Sequence, residues 1–382
     1  MSFLFLFMPA NILTKQKLEK KYFSRYKKPL VDVPNLLETQ VDSYKLLAER
    51  GLKEIFKEFS PIKDYSEKKF ELEFTSFSLS EPKYDEYYAK ANHVSYEAPL
   101  RATVKLKNKT MDTSKEQEIF MADFPLMTTH GTFIINGVER VVVPQLARSF
   151  GVFFSEIEIK GKMYFGAKII PSRGAWIEFE SEADGAIYVR IDRKRKFPVT
   201  SLLRVFGLST DKDILAAFKN PQAEASVKLS LEKDSAKTVE ESYIEIYKRL
   251  RDGDLATAEN ARGFITSIFS EERYDLSPVG RFRFNKRFGK SMDEEALSRR
   301  ILSSDDLIEI ISHIITLNNT PGAFGDDIDH LGSRRVRYVG EMLQQKIRMG
   351  MSQMKRNIQD RMSTIDAETT LPIQIVNQRP LQ

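Results

Sequence analysis

Residues 121–154 read MADFPLMTTHGTFIINGVERVVVPQLARSFGVFF. Two runs rich in β-branched residues, 132–135 and 138–143, flank Asn136-Gly137. Asn and Gly tolerate the positive φ that a two-residue hairpin turn demands at both central positions, so this stretch predicts a β-hairpin. Upstream the texture stays at period two. Phe70, Leu72 and Phe74, then Leu100, Ala102, Val104 and Leu106, alternate with charged or polar neighbours, the pattern of half-buried strands. Still further upstream, Asn35 followed by Glu38 has capping-box spacing ahead of Leu37, Val41, Tyr44 and Leu47, with Gly51 placed to stop the helix.

Downstream of Gly151 a second unit is expected, with strands at 163–170, 175–180 and 186–191 joined by turns carrying Gly174 and Asp184-Gly185. From Ser201 the pattern becomes helical, through 214–218, 239–250 and 307–317. Residues 321–325, PGAFG, read as a linker. Beyond them Val339, Leu343, Ile347, Met351, Met354, Ile358 and Met362 step by three or four, as one buried helical face requires.

The chain has 382 residues, which at about 150 per domain suggests two domains. Its 41% hydrophobic content, with 26 Phe and 14 Tyr, is ample for a packed core and excludes a disordered chain. The absence of cysteine excludes disulfides, thiolate zinc sites and cysteine nucleophiles, and fits a reducing compartment. Residues 1–8, MSFLFLFM, lack the positive region and cleavage site of a targeting signal and read as a frayed or mis-started terminus. No run reaches the roughly 18 apolar residues of a membrane helix, so a soluble protein is expected.

Formal charge is +5, but residues 334–361 alone carry eight basic and two acidic side chains, or +6. The remainder sums to −1, so the excess belongs to one face. Arg337, Arg348 and Lys355 are eleven and seven residues apart, which on a continuous helix makes one basic ridge. Phosphate binding and an ordinary solvated face are weighted equally for it. Arg193, Lys194, Arg195 and Lys196 close a predicted strand. Arg281, Arg283, Lys286 and Arg287 interleave with Phe282, Phe284 and Phe288, reading as a ribbon with Phe inside and Arg outside, or as part of a nucleic-acid groove. Trp176 is by default a core residue, although as a strand partner of Arg173 it could reach a base.

Asp326, Asp327 and Asp329 form the only tight acidic cluster next to a Gly-bounded turn. Such carboxylates can hold Mg²⁺, as an autonomous nuclease would need, but a turn feeding a helix N-terminus is the preferred reading because no second cluster completes a two-metal site. His93, His130, His313 and His330 have no metal-ligand spacing. Neither a Walker loop nor a nucleophile elbow is present. The residues themselves thus give no complete active site.

Residues 121–154 resemble the N-terminal part of the β subunit of bacterial DNA-dependent RNA polymerase. The match continues in register through SFSLSEPKYD and SYEAPLRATVKL before that stretch, and IIPSRGAWIEFE, VRIDRKRKFPVT, SEERYDLSPVGRFRFNKR and DDIDHLGSRRVRYVGEM after it. The helix near 36–48 also looks like the family's, whereas residues 1–20 match nothing.

The resemblance implies an α+β fold of two mixed domains that line a DNA channel. A protrusion would be made of residues 20–150 and the returning residues 326–382, with a lobe, 151–325, inserted between them. The function implied is DNA-templated RNA synthesis, a nucleotidyltransferase reaction. Its Mg²⁺ is held by aspartates of the β′ subunit, so no catalytic or metal-binding residue and no cofactor is expected in this chain. Arg148, Trp176, Ile328, Asp329 and Arg334 correspond to a pocket for an unpaired non-template base, where Asp would accept from a guanine edge, Arg hold phosphate or base, and Trp stack. Arg337, Arg348, Lys355, Arg193 and Arg195 are added as nucleic-acid contacts on the strength of their charge. Implied partners are DNA, the β′, α and ω subunits, a sigma initiation factor and the remainder of β, in the cytoplasm and away from membranes.

Two departures stand out. The family usually has Pro where this chain has Phe150, and the lobe has little between Gly207 and Val239. The chain looks like the N-terminal third of a β subunit, truncated or split. A free-standing DNA-binding or interaction module without polymerase activity is the competing class.

Overall fold

The computed structural model describes residues 21, 23, 34–251, 253, 256–365 and 371–382, so the expectation for residues 1–8 lies outside the described residues. The first segment opens on a continuous helical run: α1 (Glu38–Leu46), a π-turn (Leu47–Gly51) and α2 (Leu52–Glu58). Two expectations fail here. The capping box does not form, because Leu37 occupies the cap with helical φ and ψ and Asn35 Oδ1 accepts only from the Leu37 N–H, at 3.0 Å. Gly51 does not stop the helix. It lies inside the π-turn, buried, where a Cβ would meet the Leu47 side chain of the same helical run at 3.0 Å.

Strands β1 (Ile62–Lys63), β2 (Phe70–Leu79), β3 (Glu97–Asn108) and β4 (Thr113–Pro125) form an antiparallel sheet in that order, with α3 (Glu86–Ala91) between β2 and β3. Leu100, Ala102, Val104 and Leu106 are all buried on one face of β3, as their period-two spacing requires. The hairpin pairs β5 (Phe133–Ile135) with β6 (Val138–Arg140) around Asn136 and Gly137, at φ 50° and 78°. Its second strand ends at Arg140, short of the expected residue 143, because the chain leaves the ladder to meet α1, where Gln40 Nε2 donates to the Val142 carbonyl at 2.9 Å. β7 (Gln145–Arg148) follows.

The second unit starts with an antiparallel meander: β8 (Gly151–Ile159), β9 (Lys162–Ile170), β10 (Ile177–Ser181), β11 (Ile187–Ile191) and β12 (Phe197–Pro198). Helices α4 (Val199–Val205), α5 (Asp211–Ala217), α6 (Pro221–Lys233), α7 (Val239–Leu250) and α8 (Ala258–Ile268) come next. The stretch between Gly207 and Val239 is therefore occupied by two helices. α9 (Ser277–Phe288), α10 (Glu294–Ser298) and α11 (Ser304–Asn319) complete the unit. The ribbon expected around Arg281 is instead α9, opened by Pro278 in the first turn and closed by Gly289 in the left-handed conformation.

Residues 321–325 do not hang free as a linker. The Gly325 N–H donates to Glu156 Oε2 at 3.0 Å, and the Asp326 N–H donates to the Phe154 carbonyl at 2.7 Å. A 3₁₀ turn (Leu331–Ser333) leads into β13 (Arg334–Arg337), then α12 (Val339–Thr364) and α13 (Pro372–Ile375).

Two apolar cores result. One runs from Val152 to Ile315 on a single stretch of chain. The other joins Tyr44 through Phe133 to Val339 through Val376. α12 seals the second with Met351, Met354, Ile358 and Met362, each at most 1% exposed, and burial of each such side chain contributes about 1.5–3 kcal/mol. Leu343 and Ile347 pack beside them, so the stripe read from the sequence is the buried face.

Candidate nucleic-acid interface

β7 and β13 lie far apart along the chain and pair antiparallel, Arg148 opposite Arg334 and Leu146 opposite Val336. Directly opposed residues share a face and neighbours along a strand alternate. One face therefore carries two guanidiniums beside two exposed apolar side chains, Leu146 and Val336. The other face carries Arg335 and Arg337. Both of these pair with Glu341, Arg335 also lies 4.1 Å from the centre of the Phe150 ring, and Arg337 reaches Gln345. Phe150, where Pro was expected, is thus the platform that holds Arg335. Arg148, Asp329 and Arg334 have no ion pair among the described residues, and Arg148 and Asp329 are exposed.

The three aspartates do not form a metal cage. The Asp326 carboxylate is gripped by the Arg287 guanidinium through both terminal nitrogens and also accepts the Phe154 N–H at 2.8 Å. Asp327 Oδ1 accepts the Asp329 and His330 N–H groups at 3.0 and 3.1 Å, shaping the turn. With those oxygens engaged, the donor set does not suit a cation, and among the described residues no group of three His, Cys, Asp or Glu gathers to hold one. Ile328 is half-buried in the same turn.

Trp176 is half-buried rather than a core residue. Its ring centre lies 5.8 Å from Lys168 Nζ and 5.5 Å from the Arg193 guanidinium, a cation–π arrangement on an accessible indole. Its backbone N–H donates to Asp192 Oδ1 at 3.0 Å and fixes the turn that carries Arg193. The expected strand pairing with Arg173 does not occur. Arg173 bridges Asp275 and forms an ion pair with Glu58. Arg195 is exposed in the turn after β11.

The basic ridge is also rearranged. Arg337 precedes α12, because Tyr338 at the cap is extended (φ −89°, ψ 171°), so helical spacing does not align it with Arg348 and Lys355. Arg348 Nε donates to Glu58 Oε2 at 3.0 Å. Lys355 is half-buried and has no ion pair among the described residues.

Glu58 and Lys168 are residues that sequence reasoning missed, while Arg173, Arg283 and Arg287 were singled out with other partners than the structure gives them. Arg283 donates to the Gly332 carbonyl and lies 5.3 Å from the centre of the Phe153 ring, tying α9 to the turn before β13. For Arg283 and Arg287 a signal existed in their i,i+4 spacing between Pro278 and Gly289. For Glu58 there was none. Behind this junction His313 packs edge-on against Phe154 at 4.5 Å, and its pKa is held below the ordinary histidine value by burial and by Arg287, against an opposing pull from Asp326.

Among the described residues no helix is long and apolar enough to cross a membrane. The family "RNA polymerase Rpb2, domain 2" matches residues 151–337. The chain is 42% identical over 367 residues to the DNA-directed RNA polymerase subunit beta of Syntrophomonas wolfei subsp. wolfei. It is 40% identical over 400 aligned positions to that of Chloroflexus aggregans. Each alignment takes in 96% of this chain and 32% of the relative, so the chain spans about a third of the length of these curated relatives.

Proposed function

From the premise that this chain belongs to the bacterial RNA polymerase β-subunit family over 96% of its length, we propose that it forms part of the DNA-channel wall of such an enzyme. In this reading residues 20–150 and 326–382 make the protrusion and 151–325 the lobe. Its role in RNA synthesis is positional: it guides DNA toward a Mg²⁺ centre held by β′, alongside α, ω and a sigma factor, and contributes no catalytic group. The observation that carries the reading is the β7–β13 pairing, which sets Arg148 and Arg334 side by side next to the turn bearing Asp329.

That constellation suits an unpaired base. Asp329 accepts from the Watson–Crick edge of guanine, the two arginines take phosphate, and Trp176 with Arg193 offers a stacking platform. The test is binding of the chain to fork DNA with one unpaired guanine or one unpaired thymine. Guanine is expected to bind more tightly, and Asp329→Ala to remove a preference of about 1–3 kcal/mol. An unchanged preference would refute the base contact. Failure of the chain to co-purify with β′ and α would refute its place in the enzyme.

A further inference from the structure

Asn136-Gly137, which turns the β5–β6 hairpin, is the only Asn-Gly pair in the sequence. Glycine has no side chain to shield its backbone nitrogen, so that nitrogen reaches the carbonyl of a preceding Asn side chain more readily than the nitrogen of any other residue. Attack by the Gly137 nitrogen on Asn136 Cγ forms an N–C bond and expels the side-chain amide as ammonia, which carries off the proton of the attacking N–H. Water then opens the cyclic imide at either carbonyl. One route leaves aspartate, the other isoaspartate, with the backbone rerouted through the side chain.

The fold keeps the attacking nitrogen occupied. The Gly137 N–H donates to the Val94 carbonyl at 2.9 Å, and a deprotonated nitrogen would lose this bond and face the same oxygen with a negative charge. The electrophile is held as well. Ser95 Oγ accepts the Asn136 N–H at 3.1 Å and donates to Asn136 Oδ1 at 3.4 Å, so the side chain is tethered toward its own N–H and away from the Gly137 nitrogen. A third tie fastens the hairpin to the same segment, where the Tyr96 N–H donates to the Ile134 carbonyl at 2.9 Å.

Geometry also explains why so reactive a pair stands here. Both turn residues have positive φ, 50° and 78°, which Asn and Gly accept. A Cβ on Gly137 would lie 2.6 Å from His93 Cα, a backbone atom, so only glycine fits. Asn136 is exposed, and water has access to it. In β5, Ile134 is wholly buried and the Phe133 ring packs 5.7 Å from that of Tyr44. Isoaspartate adds a methylene to the backbone and would disturb the register that sets Ile135 opposite Val138.

We propose that Asn136 is a modification site of this chain, an asparagine that converts to aspartate and isoaspartate when the β5–β6 hairpin lifts from residues 94–96. The docked hairpin holds the reaction back, and its rate follows the population of the lifted state.

Peptide mapping by mass spectrometry tests this on the full chain, aged at mildly alkaline pH both folded and in concentrated urea. The reaction is read as the mass gain of an amide becoming a carboxylate. In urea Asn136 is expected to react before every other asparagine, and in the folded chain at least about tenfold more slowly, because a paired hairpin is open only in a minor population. Ser95→Ala removes one tether and is expected to speed the folded reaction about three- to tenfold while leaving the rate in urea unchanged, and Ser95→Thr, which keeps the hydroxyl, to restore the slow rate. Hydrogen exchange in β3 should stay near wild type in Ser95→Ala, marking the opening as local. Equal rates folded and in urea, another asparagine reacting first in urea, a Ser95→Ala rate no faster than wild type, or a gain matched by faster exchange across β3 would each overturn the proposal.

Discussion

The core between Val152 and Ile315 is assembled from one uninterrupted stretch, whereas the core that begins at Tyr44 lacks a wall until Val339 and the rest of α12 return to it. The contiguous unit includes wholly buried charge. Arg204 and Asp234 are both fully buried and lie 2.8 Å apart, and the Asp234 oxygens also accept from Ser201 Oγ and the Ala236 N–H. The split unit is closed by shape. Gly340 lies so near α1 that a Cβ there would be 2.0 Å from the Ser43 carbonyl oxygen. A unit whose elements follow one another can organise a polar network locally. A unit completed by a distant segment relies on apolar fit and close backbone approach.

The largest expected effect tests the first half of that contrast. Asp234→Ala leaves the buried Arg204 guanidinium with only the half-exposed Asp211, takes the acceptor from Thr200, Ser201 and the Ala236 N–H, and should cost about 3–5 kcal/mol. Trp176, the only tryptophan, precedes β10 and so reports on the contiguous unit. Its fluorescence in urea should show a lowered midpoint, while hydrogen exchange in β3 stays near wild type. Equal loss of protection in β3 would mean that the units unfold as one. Next in size, Gly340→Ala should cost about 1–3 kcal/mol by forcing α1 and α12 apart. Here the pattern should reverse, with β3 losing protection and the Trp176 transition unmoved.

The same contrast explains what was legible in the sequence. The alternation of β3, the Asn136-Gly137 turn and the apolar face of α12 are local periodicities, and each is realised. The helix α9 was misread because Phe282 and Phe284 alternate with arginines over a few residues, a short-range mimic of a strand; Pro278 and Gly289, read as caps, would have corrected it. Most of the interface was legible only as a set of residue types. The opposition of Arg148 and Arg334, and the capture of Arg348 by Glu58 from 290 residues away, depend on long-range contacts that no local spacing encodes.

A smaller effect is expected where the two units meet. Burial and Arg287 lower the His313 pKa in the folded chain, so the folded state binds fewer protons there than the unfolded state. The stability this gives is present above about pH 6.5, the unfolded value, and is lost as pH falls through the lowered folded value. The Tm of the native chain should therefore fall on moving from pH 7.5 to 5.5 by more than that of His313→Gln. Identical shifts would remove His313 as the cause.

The smallest effect concerns the helix that closes the split unit and its proposed contact with DNA. Had Arg348 and Lys355 both met phosphate, removing both would reduce the slope of log affinity against log salt by roughly two contacts, at about 0.9 each. The structure separates them. Glu58 holds Arg348 and also Arg173 of the contiguous unit, so this one carboxylate joins both bodies and competes with any phosphate for the Arg348 charge. Lys355→Ala should therefore lower the slope by about 0.9, and Arg348→Ala by much less. Glu58→Gln should then raise the slope by freeing Arg348. Equal slopes for both alanine variants would show that the Glu58 pair yields to DNA, and that the junction between the units opens when the channel is occupied.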